Sequence, residues 1–186
     1  MSNTTRIFVE KNEGFRVEAE SLRSELNENL SLNIHELRLL NVYDLDGFSA
    51  GLLEKCRYSV FGEVVTDTVL DSFPLEGKRY LAVEYIPGQF DQRASSAVDC
   101  VHLIDPKAEV RIRSSRLLVF DDKFSEKDLA AVRHYYINAV ESREKDLSKL
   151  GLSEQADVKP VTLLTGFIDM QESAFASFCK PSFFST

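Results

Sequence analysis

The sequence has few cysteines, and none of them fits a metal-binding spacing. Its three cysteines, Cys56, Cys100 and Cys179, leave one thiol over after any pairing. Cys56 and Cys100 fall within apolar helical patterns, where a thiol behaves as a small hydrophobic side chain rather than as a nucleophile. We therefore expect reduced, mostly buried cysteines in a cytoplasmic protein, and no metal site.

Basic residues are also in the minority. The 22 lysines and arginines stand against 30 acidic residues, which gives a net charge of -8. A nucleic-acid surface needs clustered lysine and arginine, so we expect no nucleic-acid partner. Arg111, Arg113 and Arg116 do cluster. Because two of them alternate within a predicted strand, a solvated sheet face is the favoured interpretation, and an anion site is the alternative.

Long apolar runs are missing as well. No stretch approaches the roughly eighteen apolar residues that a membrane span requires, and residues 1–10 lack the basic segment and apolar run of a signal peptide. The content of 44% hydrophobic and 28% charged residues is ordinary for a soluble globular protein. A domain of this size buries roughly 70% of the surface of its unfolded chain, so its core needs no covalent cross-links.

Side chains for catalysis are scarce. His35, His102 and His134 are predicted to be capping or surface histidines rather than catalytic ones. The sequence has no phosphate-binding glycine loop, no zinc spacing and no serine elbow. We therefore predict no catalytic residue and favour an interaction module over an enzyme.

Periodicity predicts alternating strands and helices. Strands are predicted at 6–10, 37–45, 63–70, 79–85 and 110–120. Helices are predicted at 15–26, 48–61, 91–104 and 125–147, the last of them helical at least in its first half. Pro74 and Gly77 mark 71–78 as a joint between two parts of the chain.

The two parts repeat one pattern about 75 residues apart. Three sets of matches occur in the same order: Val9-Glu10 before Gly14 and Phe15 with Val83-Glu84 before Gly88 and Phe90, Arg38-Leu39-Leu40 with Arg116-Leu117-Leu118, and Phe48-Ser49 before Leu53 with Phe124-Ser125 before Leu129. The last pair has the form of a serine N-cap with a hydrophobic staple. Asp128, three residues after Ser125, adds a variant of the capping box.

The repeat predicts an α+β fold of two tandem split-βαβ, ferredoxin-like units that form a pseudo-dimer, with helices on one face of antiparallel sheets. We expect a duplicated domain over 1–147, with copies at about 5–73 and 79–147. Residues 148–186 are predicted to be a linker and the start of a following domain. The aromatic-rich part of that segment, 161–186, is expected to dock on the body of the protein or to belong to a neighbouring domain.

The loop 87–93 is the strongest candidate for a binding site. Pro87 and Gly88 predict a tight turn, and Asp91 is placed to cap the following helix. From these residues alone, a well-formed turn with a cap and no binding role is the favoured interpretation. The alternative is a site where Arg93 and the free amides of that helix hold an anion or a carbonyl group of a partner.

Residues 85–97, which read Tyr-Ile-Pro-Gly-Gln-Phe-Asp-Gln-Arg-Ala-Ser-Ser-Ala, resemble a segment near the amino end of phosphoribosylformylglycinamidine synthase in its long single-chain form. Further segments resemble that family in the same order, at 7–11 with Gly14-Phe15, 39–44 with Gly47, 60–63 with Thr66-Asp67, and 136–144. The resemblance covers roughly residues 5–147.

The resemblance implies a scaffold role in purine biosynthesis. The amino-terminal region of that family is similar to two fused copies of a small separate subunit. The complete enzyme, a glutamine amidotransferase and ligase, uses ATP and magnesium to activate formylglycinamide ribonucleotide for attack by ammonia from glutamine. Its ATP-binding and glutaminase domains lie elsewhere in the longer chain, so this chain is expected to hold no cofactor itself.

The partners implied are the synthase and glutaminase domains, which this region would bridge while it helps to enclose the ammonia path. Gln89, Asp91, Gln92 and Arg93 are the predicted interface residues, and self-association of the isolated chain is a further expectation. A free-standing regulatory domain that binds a small ligand between its two units is the alternative function.

Overall fold

A six-stranded antiparallel sheet and four helices form the fold of the described residues, which confirms the α+β class. The computed structural model describes residues 4–122 and 124–150. The chain divides into two units, Met1–Ala156 and Asp157–Thr186, and all described residues belong to the first. The predicted linker and following segment, 148–186, therefore lie outside the described residues except for 148–150.

The strands and helices alternate along the chain. In order they are β1 (Thr5–Lys11), α1 (Val17–Leu30), β2 (Leu37–Asp46), α2 (Ala50–Cys56) with a π-helical turn (Arg57–Phe61), β3 (Asp67–Leu70), β4 (Tyr80–Tyr85), α3 (Gln92–Ile104), β5 (Arg111–Phe120), α4 (Glu126–Tyr136) and β6 (Ser142–Glu144). The predicted last helix thus ends at Tyr136, and a short strand follows it. The predicted strand 63–70 begins only at Asp67, because a turn precedes it.

The sheet order is β3-β1-β2-β5-β4-β6, and every neighbouring pair is antiparallel. The central pair, β2 and β5, is in register from Leu37 opposite Phe120 to Asp46 opposite Arg111. The first three strands of the chain therefore lie on one side of the sheet and the last three on the other.

One row of residues crosses the whole sheet. In spatial order it consists of Val69, Val9, Asn41, Arg116, Val83 and Glu144. The row is symmetric about its centre. Val69, Val9 and Asn41 lie about 75 residues before Glu144, Val83 and Arg116, respectively. Asn41 therefore occupies the place that corresponds to Arg116.

The sequence match of Arg38 with Arg116 is wrong by this register. Arg116 lies opposite Asn41, whereas Arg38 lies opposite Val119. Because side chains alternate between the two faces of a strand, Arg38 and Arg116 lie on opposite faces of the sheet. The matched arginines are therefore not at equivalent places.

All four helices pack on one face of the sheet, in two apolar clusters. The first cluster joins α2, its π-helical turn and α3 to strand residues Ile7, Val9, Tyr43, Leu45, Val69 and Ile112. The second joins α1 and α4 to strand residues Leu37, Leu81, Val83, Leu118 and Phe120. Each cluster thus combines elements from both halves of the chain, so neither half closes its own core.

The opposite face carries a third apolar cluster and a buried ion pair network. The cluster includes Phe8, Leu40, Val42, Phe73, Ala82, Leu117 and Val119. Beside it, the buried Lys145 ammonium lies 2.9 Å from Asp44 and 2.8 Å from Glu84. Within the described residues no helix packs on this face. A cleft between a loop and a helix end can therefore form only on the face that the helices cover.

Two predicted helix caps are confirmed. The Ser49 side chain accepts a hydrogen bond from the Leu52 N–H, and the Ser125 side chain accepts one from the Asp128 N–H. Asp128 does not complete a capping box in the usual way, because its carboxylate accepts a hydrogen bond from the Ser125 hydroxyl at 2.6 Å.

Candidate functional site

The loop 87–93 joins β4 to α3 through a tight turn. The Gln89 N–H donates to the Ile86 carbonyl at 3.1 Å, and the Ile86 N–H donates to the Glu141 carbonyl at 3.0 Å. Gly88 has φ 95°, a left-handed conformation that glycine adopts without strain. The turn is thereby fixed against the segment that enters β6.

Asp91 is the residue that fixes this loop to the sheet. Its carboxylate caps α3 by accepting the Ala94 N–H at 2.9 Å. It also accepts the N–H and the hydroxyl of Ser114 on β5, both at 2.8 Å. The predicted cap is therefore confirmed, and within the described part of the chain the carboxylate positions the loop.

The other three predicted interface residues are exposed. The Gln89 side-chain amide donates to the Val140 carbonyl at 3.3 Å. Gln92 and Arg93 begin α3, and neither side chain makes a hydrogen bond or ion pair among the described residues. Phe90 and Val140 stand beside them, 73% and 76% exposed. The loop therefore presents amide, guanidinium and apolar groups to solvent.

A cleft of about 640 Å³ opens next to this loop. The α3 side chains Gln92, Arg93, Ser96, Ala97 and Cys100 contribute to its lining, together with Tyr43, Val60, Val83, Tyr85, Ser114, Arg116, Tyr136 and Glu141 from other segments. Its walls are thus the start of α3, the end of α4, the middle of β5 and the end of β4.

Arg116 carries the second guanidinium of the cleft. Its Nη2 forms an ion pair with Glu18 on α1, while its Nε is buried and has no hydrogen-bond partner. Burial raises the pKa of the neighbouring Tyr136, an effect that Arg116 only partly offsets. Tyr136 is therefore a neutral phenol at physiological pH.

The three arginines that cluster in the sequence, Arg111, Arg113 and Arg116, do not all lie on the same face of the sheet. Arg111 is exposed and pairs with Asp46, and it shares a strand face with Arg113. Arg116 lies on the other face, under the helices. The expectation of one solvated face therefore fails for Arg116, because an odd spacing along a strand changes the face.

No sequence signal indicated Tyr43 and Tyr136 as cleft residues, although both lie in segments that resemble the family. They come from β2 and the end of α4, far apart in the chain, and line the same cleft only because the strands pair across the two halves. All three histidines are exposed. His102 shares a hydrogen bond with the Ala108 carbonyl.

Comparison with protein-family models, with curated proteins and with solved structures gave no match for this chain. Across residues 4–122 and 124–150, no group of three or more histidine, cysteine, aspartate or glutamate side chains is placed to hold a metal ion. No helix in the same residues is long and apolar enough to cross a membrane. The features that bear on function are therefore the loop, the cleft and the resemblance of residues 85–97.

Proposed function

We propose that this chain is the amino-terminal scaffold domain of a phosphoribosylformylglycinamidine synthase. In this role it docks on the synthase and glutaminase domains and helps to enclose the path of ammonia between them. The ATP, magnesium and glutamine chemistry of purine biosynthesis then belongs to those partner domains, and this chain supplies no catalytic residue. The observation that carries the proposal is the exposure of Gln89, Gln92 and Arg93. All three lie in the loop 87–93, within the segment that resembles the family.

The proposed architecture is a pseudo-dimer of two tandem ferredoxin-like units. The strand order and the row through Asn41 and Arg116 support it, because both place matching members at matching distances from the centre of the sheet. Two loops support it as well. After β1, the Asn12 N–H donates to the Thr66 carbonyl at 2.8 Å. After β4, the Ile86 N–H makes the corresponding hydrogen bond to the Glu141 carbonyl.

The proposed docking surface is the exposed part of the loop with the adjoining Val140. Aromatic and arginine side chains are enriched in protein interfaces, and Phe90 and Arg93 supply one of each. Asp91 acts through position, since its carboxylate is used to hold α3 and β5 together.

A binding measurement tests this surface. The partner is a phosphoribosylformylglycinamidine synthase that lacks its own amino-terminal region, and calorimetry measures its affinity for this chain. We expect a dissociation constant of about 10 μM or tighter and a loss of at least about tenfold for the double variant Gln89→Ala, Gln92→Ala. The double variant Lys107→Ala, Lys127→Ala, which changes exposed residues outside the loop, should bind as the parent does. Absence of binding by the parent chain contradicts the proposal.

One observation favours a regulatory domain as a second candidate. The cleft volume of about 640 Å³ falls within the range of small-molecule sites. A thermal-shift series with amino acids and nucleotides, combined with the binding measurement above, separates the candidates, since a ligand that binds only the folded chain raises its melting temperature. Stabilisation by one such ligand, together with no binding to the synthase, favours the regulatory domain.

A further inference from the structure

The starts of α1 and α3 carry opposite charges at corresponding places. Glu18 comes one residue before the buried Ala19, and Arg93 comes one residue before the buried Ala94. Glu18 pairs with Arg116 on the sheet below. Arg93 lines the cleft, and no carboxylate of the described residues pairs with it. At this place the second half therefore has the cation Arg93, whereas the first half has the anion Glu18, which is paired within the chain.

Arg116 adds a donor that the chain itself leaves unused. A guanidinium has five N–H donors in a fixed planar arrangement. Glu18 accepts from Nη2, and the guanidinium also interacts with the Tyr136 hydroxyl. The Nε atom is buried without a partner, which is unfavourable unless another group accepts its hydrogen bond. Arg116 lines the same cleft as Arg93.

The remaining cleft groups leave room for an anion. Glu84 is compensated by Arg143 and Lys145, both at 2.8 Å. Glu141 is exposed. Neutral donors also line the cleft, among them the side chains of Gln92, Ser96, Tyr43, Tyr85 and Tyr136. Polar donors in a cleft of small-molecule size are the usual means of fixing a ligand's orientation.

We propose that this cleft binds a small molecule through a carboxylate or phosphate group held by Arg93 and Arg116. Arginine suits this role because its planar donors match the geometry of two oxyanion oxygens. The rest of the ligand lies against Ala97, Val83 and the tyrosine rings. This site goes beyond the scaffold role and does not depend on it.

A titration followed by NMR tests the site in the absence of any partner protein. Sodium phosphate and sodium succinate are added separately, with sodium chloride holding the ionic strength constant. We expect saturable shifts in the amide signals of 92–97 and 114–116 for at least one probe, with a dissociation constant below about 5 mM. If only one of the two probes produces the shifts, that probe identifies the kind of oxyanion that the cleft binds.

Two variants and a control locate the binding. Arg93→Gln removes an exposed cation with no internal partner, so the fold should be retained and affinity should fall about tenfold or more. Arg116→Lys keeps the charge opposite Glu18 but removes the Nε donor, and it should also weaken binding. Arg79→Gln, an arginine at the other end of β4 with only a 3.8 Å contact to Glu126, should bind as the parent does.

The proposal is overturned if neither probe gives saturable shifts up to about 50 mM, a range in which a single charge-assisted site saturates. It is equally overturned if the shifts saturate but Arg93→Gln leaves the affinity unchanged. Neither result bears on the affinity for the synthase, which the loop variant measures separately.

Discussion

Asn41 and Arg116 lie opposite each other where β2 pairs with β5, and each leaves one buried polar atom without a hydrogen-bond partner. Such atoms are rare in folded proteins. Here they lie at the centre of the sheet, on the face covered by helices, between clusters that each draw on both halves of the chain. On the face covered by helices, the centre of the sheet is thus polar, with an apolar cluster on either side.

Leu26 tests the packing of α1 across the halves. Its side chain is fully buried in the cluster that contains Leu81 and Leu118 of the second half. We expect Leu26→Ala to lower the free energy of unfolding by about 2–5 kcal/mol, measured by urea denaturation. Leu103→Ala, at an 86% exposed position of α3, should change it by less than about 0.5 kcal/mol. Equal effects of the two variants would refute cross-half packing.

Asp91 tests the attachment of the loop. Asp91→Ala removes the cap of α3 and leaves the Ser114 N–H without its acceptor, so we expect a loss of about 2 kcal/mol. Asp99→Ala, an exposed position later in α3, serves as the control and should be nearly neutral. Thermal denaturation of both variants gives the comparison, and a neutral Asp91→Ala would show that the loop is held by other contacts.

Gly47 tests the turn after β2. Its φ is 82°, and an added Cβ would lie 2.2 Å from the backbone oxygen of Glu109. We expect Gly47→Ala to cost about 2 kcal/mol or more in unfolding free energy, because strain and steric overlap add. At Gly14, φ is 87° but nothing lies within 4 Å of an added Cβ, so Gly14→Ala should cost only about 1 kcal/mol. A smaller effect at Gly47 than at Gly14 is the result that excludes this explanation.

Asp67 predicts how stability depends on pH. Burial acts to raise the pKa of Asp67, but hydrogen bonds from the Glu63 N–H, Lys11 and Thr66 outweigh it, so its pKa lies below the ordinary value. The unfolded chain therefore takes up the proton first as the pH falls. The stabilisation is present above pH about 4, the ordinary pKa of aspartate, and is lost as the pH falls through the lower folded value.

The variant Asp67→Asn isolates that contribution. We expect it to be less stable than the parent by about 1–3 kcal/mol at pH 7, with the difference shrinking as the pH is lowered below about 4. Denaturation at a series of pH values measures the difference. A gap that stays constant down to pH about 2 would mean that the Asp67 charge does not contribute.

The sequence predicted the elements better than their arrangement. Periodicity located five of the six strands and the apolar faces but missed β6, and the serines at 49 and 125 indicated two helix starts that the structure confirms. Periodicity does not say which element a buried face meets, so the packing of α1 on the second half could not be foreseen. The match of Arg38 with Arg116 failed for a related reason, since strand register is set by pairing across the sheet.

The candidate site was likewise predictable only in part. The loop and its cap were predictable because turn and capping residues act within a few positions of one another. The cleft was not, because Tyr43, Arg116 and Tyr136 meet only through the tertiary fold.

We propose that this chain is a scaffold whose partner domains perform the reaction. The most direct test adds it to a phosphoribosylformylglycinamidine synthase that lacks its own amino-terminal region and measures glutamine-dependent amidine formation. We predict turnover that requires both proteins and none from this chain alone. Failure of the mixture to turn over, or turnover by this chain without a partner, would contradict the scaffold role.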